Sequence, residues 1–213
     1  MSALVRRSLG LVGSCVIVSS VVLAVLGGLE STGRADPKPG AATAPALVSR
    51  LGKAVDTGDG AVVLACFDIS KPGSRVFPDY LVAETALNAG RIAVRHKADT
   101  YGAAVRAKAE PLLEPWWAQS STPYARSLCP DPCTAKEGSE IRPPGSKIEM
   151  VIVKKHGVFL FDASQIFQDP GGADSVAREK ARFEELARQW IHVAASATSA
   201  EELLAKLDKL ANE

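Results

Sequence analysis

Apolar and polar positions alternate along this chain in several distinct rhythms. Leu9 to Leu29 is an almost unbroken apolar run behind the pair Arg6 and Arg7. Further on, Leu47, Leu51, Ala54 and Val55 share one helical face, which predicts a helix from Ala46 that stops at Thr57-Gly58 with the glycine as C-terminal cap. Asp59 then stands where it can cap a second short element, Ala61 to Phe67. That run is apolar on every side, so periodicity leaves it either a buried helix or a buried strand, with Cys66 as a small core residue.

The most regular stripe follows. Tyr80, Ala83, Leu87, Gly90, Val94, Ala98, Tyr101 and Val105 recur at steps of three and four. They predict one helix over about 79–109, on the order of 45 Å long, ended by Pro111. Small residues at 83, 90 and 98 let a partner helix come close, and Gly90 and Gly102 make a kink or break near Asp99 an option. Residues 111–146 look irregular, with prolines, Trp116-Trp117, Tyr124 and the Cys129/Cys133 pair. Lys147 to Lys154 alternates and is rich in β-branched residues, and Val158 to Phe161 follows Lys155-His156-Gly157, which predicts a β-hairpin over about 147–161 with Gly157 in the turn. Two amphipathic helices close the chain. The first buries Val176, Phe183, Leu186, Ala187, Trp190, Val193 and Ala194, with a Glu184 to Arg188 pair on its surface. The second opens on a Thr198/Glu201 capping box and buries Leu203, Leu204, Leu207 and Leu210. The expected fold is a helix-rich α+β single domain over 46–213, built on a small antiparallel sheet.

The leading run changes how everything after it is read. Two arginines, an apolar core and the small residues of Gly33-Arg34-Ala35 have the form of an export signal cleaved after Ala35. The run is also long enough to cross a ~30 Å hydrocarbon core, so an uncleaved anchor through residues 9–29 is the alternative. Either way residues 36–213 face out, periplasmic or extracellular. Residues 36–45 then read as a Pro/Ala linker. Val12-Gly13-Ser14-Cys15 has the outline of a lipobox, but strongly apolar sequence continues after it, as in an ordinary apolar leader.

Composition narrows the function more than it names it. The whole chain carries a formal charge of +1, and without residues 1–35 it has 22 basic and 23 acidic residues, which leaves no electrostatic case for nucleic acid. No Walker loop, Gly-x-Gly-x-x-Gly, His-Glu-x-x-His, Gly-x-Ser-x-Gly or Ser-x-x-Lys is present, and no cofactor is implied. In an oxidising compartment Cys129 and Cys133 are first a disulfide closing a Pro-rich loop. Asp56-Thr57-Gly58 has the residues of an aspartic-protease triplet, but one copy at a helix end is better explained by capping. His96 and His156 are expected to be exposed, and His192 to sit at a rim beside Trp190.

Two resemblances add to this. Ala54 to Asp68, a helix, a Gly-Asp and a second helix ending in Phe, resembles the opening of SnoaL-like members of the nuclear-transport-factor-like superfamily, and Val153 to Asp162 resembles their late hairpin. That resemblance implies a cone-shaped pocket with Asp162 or His156 as acid or base, although those domains usually end on strands and this chain ends on helices. Cys129-Pro-Asp-Pro-Cys133 resembles the Cys-Pro-Asp-x-Cys of Sco-type copper chaperones, which implies thiolates for copper(I) with His156 or His192 as a third ligand, but no thioredoxin-like βαβ pattern surrounds it. The reading favoured by the sequence is an extracytoplasmic, non-catalytic module that binds a small molecule or partner protein through residues 111–146, with Trp116, Trp117 and Tyr124 as contact surface. The alternatives are a SnoaL-like small-molecule enzyme or a thiol redox or copper-handling protein.

Overall fold

The computed structural model describes residues 36–117, 135–141, 150–166 and 170–212, the side chains of 114–117 and 170–173 excepted. Six helices and three strands occur among them: α1 (Ala44–Thr57), α2 (Gly60–Ala65), α3 (Val76–Tyr101), α4 (Ala103–Trp117), β1 (Glu140–Ile141), β2 (Met150–Lys155), β3 (Val158–Asp162), α5 (Pro170–Ser196) and α6 (Ala200–Ala211). The strands form one antiparallel sheet in the order β1-β2-β3. This is the helix-rich α+β fold that the periodicities predict, with the small sheet and the two C-terminal helices in place. Among the described residues no helix is long and apolar enough to cross a membrane; residues 9–29 lie outside them.

Helix α3 is the pillar on which two hydrophobic cores meet. Its first turns, through Phe77 and Leu81, close a core made by α1, α2 and the inner face of the sheet, including Leu47, Leu51, Val63, Met150, Ile152 and Phe161. Phe67 joins them edge-on to Phe77, with ring centroids 6.0 Å apart, and tilted against Phe161 at 5.6 Å. The remainder of α3, through Ala83, Leu87, Val94 and Ala98, packs with Leu113 of α4, Phe183, Leu186 and Trp190 of α5 and Leu203 and Leu207 of α6. The α3–α5 seam is the most extensive of the helix contacts. Gly90 sits in it: a Cβ there would lie 3.1 Å from the Ala187 carbonyl oxygen and 3.2 Å from the Trp190 Cβ. The small residue at 90 therefore does what its place in the stripe predicts, and admits a helix backbone at close range.

Local chemistry sets the ends. Thr43 caps α1 by accepting from the Ala46 amide at 3.2 Å, and Pro45 stands in the first turn, where it costs no intrahelical bond. At the other end Gly58, at φ +75°, donates to the Ala54 and Val55 carbonyls, while the Asn88 amide of α3 donates to the Val55 carbonyl at 2.6 Å. Asp56-Thr57-Gly58 is thus a helix terminus, with Asp56 and Thr57 exposed. Asp59 accepts from the Val62 amide at 3.1 Å and opens α2.

Several expectations need correcting. The linker is shorter than 36–45, because Ala41 pairs with Phe159 and the Gly40 amide donates to the Ala65 carbonyl at 2.7 Å. Gly40, at φ +60°, has room there for no side chain: a Cβ would lie 2.3 Å from the Phe159 carbonyl oxygen. The long stripe breaks at Gly102, φ +107°, and Pro111 does not end the helix but lies inside α4. The proline removes a bond to the Ala107 carbonyl, yet Ala107 and Pro111 are both exposed, so water can take that carbonyl while Ala109 and Leu113 hold the buried side. Residues 111–117 and 140–141 therefore belong to regular elements rather than to an irregular segment. The cap of α6 is Ser199, accepting from the Glu202 amide at 3.1 Å, with the Glu202 carboxylate accepting from the Thr198 amide at 2.7 Å, so the cap lies one residue later than the Thr198/Glu201 pairing. On α5, Arg188 pairs with Glu185 at 2.8 Å and Glu184 with Lys180 at 3.5 Å.

Candidate functional site

The hairpin turn consists of His156 and Gly157, at φ 50° and 82°, a two-residue turn in which both positions are left-handed and match the strand twist. One edge of β3 pairs with β2, and Ala41 bridges the second edge at Phe159. Further along, that second edge is covered by the chain between α2 and α3: the Phe161 amide donates to the Cys66 carbonyl at 2.9 Å and the Asp68 amide to the Phe161 carbonyl at 2.9 Å. The bridge at Phe67 carries Asp68 and the following loop onto the sheet edge.

A charged latch results. Asp68, 5% exposed, accepts from the Ser70 hydroxyl at 2.7 Å and the Ser70 amide at 3.2 Å, and its second oxygen is ion-paired with Lys155 of β2. Lys155 also donates to the Ser70 hydroxyl at 3.1 Å. One residue past Ser70, Lys71 reaches Asp162 of β3 at 2.5 Å, and the Ser164 amide donates to the other Asp162 oxygen at 2.9 Å. The Asp162 side chain is 13% exposed and Lys71 48%. Burial pushes both carboxyl groups up, but their hydrogen bonds outweigh it: Lys155 and Ser70 hold Asp68, and Lys71 and Ser164 hold Asp162, below the ordinary carboxylate range. Neither acid is thereby poised to take a proton near neutral pH.

The other candidates are scattered. His156 is exposed at the hairpin tip, and His96 is exposed on α3. His192 is exposed on α5 while Trp190 is buried, and with Glu185, Arg188, Gln189, Val193 and Leu210 it lines a shallow open groove of about 320 Å³. Trp116 and Trp117 belong to the last turn of α4. Tyr124, Cys129 and Cys133 lie outside the described residues, and with them the disulfide and copper readings. Among the described residues no group of three or more His, Cys, Asp or Glu is placed to hold a metal. Cys66 is a buried free thiol, pushed up to about 12 by burial, with Arg50 pulling only weakly the other way, as befits a core residue.

Two polar groupings have no signature in the sequence. One is the latch, whose partners are up to 91 residues apart. The other is Glu110 of α4, which accepts from Arg91 at 2.9 Å and from the Arg95 Nε at 2.9 Å, with Arg106 at 3.5 Å on the same carboxylate. It ties α3 to α4 across the break at Gly102. Compared with known proteins, the chain matches no family model, no curated protein and no solved structure.

Proposed function

We propose that the chain beyond the leader is an extracytoplasmic, non-catalytic module that binds a small molecule or a partner protein. The observation that supports this reading is what Asp162 is bound to. The acid that pocket chemistry would use is held by Lys71 and Ser164 in a latch that fastens the α2–α3 loop to the sheet. His156, the alternative acid or base, stands exposed beyond the other end of β3, and a rise of about 3.3 Å per residue puts at least roughly 13 Å of strand between it and Asp162. Whichever of the two is taken as acid or base, the other is too far away to share one substrate atom with it. The export reading rests on Arg6, Arg7 and the apolar run that follows, and the contact surface remains Trp116, Trp117 and Tyr124.

The test is site-specific photocrosslinking in exporting cells. The full chain carries benzoylphenylalanine at 116, 117 or 124, and at exposed position 178 as control, in wild-type, Asp162→Asn and His156→Ala backgrounds. A discrete adduct or a co-purified small molecule, retained in both variants and absent from the control position, is the expected result. A turnover activity lost in either variant while its circular dichroism stays native would overturn the reading.

A further inference from the structure

We draw no further inference here: the strongest candidate, the Ser70–Asp68–Lys155 cluster where the α2–α3 loop meets the hairpin, belongs to the latch already described, and its serine hydroxyl donates to a carboxylate that is itself ion-paired with Lys155, so neither neighbour is placed to activate the serine.

Discussion

Gly90→Ala sets two known effects against each other at one atom. In a solvent-facing helix interior the change stabilises by roughly 1 kcal/mol, because alanine loses less backbone entropy. Here the new methyl would stand 3.1 Å from the Ala187 carbonyl oxygen, 3.2 Å from the Trp190 Cβ and 3.4 Å from the Ala187 Cα. Carbon atoms pack best at about 3.5–4.0 Å. None of the three obstructing atoms is the end of a flexible side chain: two are helix backbone, and the third is the root of a tryptophan that is 1% exposed. The seam can relieve the clash only by moving α5 away from α3. Overpacking of this kind costs about 1–3 kcal/mol, which at least cancels the propensity gain, so the net expectation is no stabilisation and a loss of up to about 2 kcal/mol. For a domain of this size that corresponds to a fall in Tm of up to about 8 °C. Urea denaturation and thermal melts of wild type and Gly90→Ala measure it, with Ala181→Gly on the exposed face of α5 calibrating the propensity term in the same protein. A Gly90→Ala protein with a higher midpoint and an unchanged m-value would refute the reasoning: the seam would then be loose, and the glycine would not be what lets the helices approach.

Other consequences are open to measurement. Asp68→Asn removes the carboxylate that binds Lys155 and Ser70 and should cost about 1–2 kcal/mol, discounted because Lys155 can turn to water. Because both latch carboxyl groups titrate below their ordinary values when folded, their contribution is complete above the unfolded value of about 4 and is lost as pH falls through the folded values. An Asp68→Asn/Asp162→Asn double variant should show a flatter acid limb in Tm against pH, and an unchanged limb would dismiss the latch as a contributor. His156→Asn should raise stability by about 0.5–1 kcal/mol, since asparagine tolerates φ 50° better than histidine, and a lower urea midpoint would contradict the left-handed turn. Glu110→Ala should cost about 1–2 kcal/mol by removing the acceptor shared by Arg91 and Arg95; hydrogen exchange should then rise in α4 before it does in the sheet.

Periodic elements were legible in the sequence because their spacing is itself the physical cause of burial. The stripe on α3, the buried face of α5 and the hairpin all lie where their patterns place them. Degenerate local chemistry was not legible at single-residue accuracy. Thr198-Ser199-Ala200-Glu201-Glu202 offers two capping pairs, and in the structure Ser199 accepts from the Glu202 amide while the Glu202 carboxylate accepts from the Thr198 amide and hydroxyl. Glu184 and Glu185 likewise each have a basic residue three or four positions away, so which pairs form depends on rotamers rather than on spacing. Pro111 departs from its pattern for a related reason: the rule that proline ends a helix presumes that the lost bond cannot be replaced, and on the exposed face that carries Ala107 and Pro111 water can replace it.

The latch shows why the candidate site was harder to read than the fold. Ala61 to Phe67 fits a helix and a strand equally well by composition, and the structure makes it both in turn, helical through Ala65 and then bridged at Phe67 to Phe161. Only that change of conformation, one residue before Asp68, delivers the carboxylate to the edge of β3, where Lys155 from the far side of the hairpin can reach it. The pairing of Asp68 with Lys155 and of Lys71 with Asp162 therefore depends on strand register and on an edge contact, neither of which has a local spacing to detect. The SnoaL-like resemblance implies Asp162 as an acid or base at the end of the hairpin. The same position makes it available to a lysine on the covering loop, and once Lys71 occupies it the residue's chemistry is that of a fastening rather than of a general base.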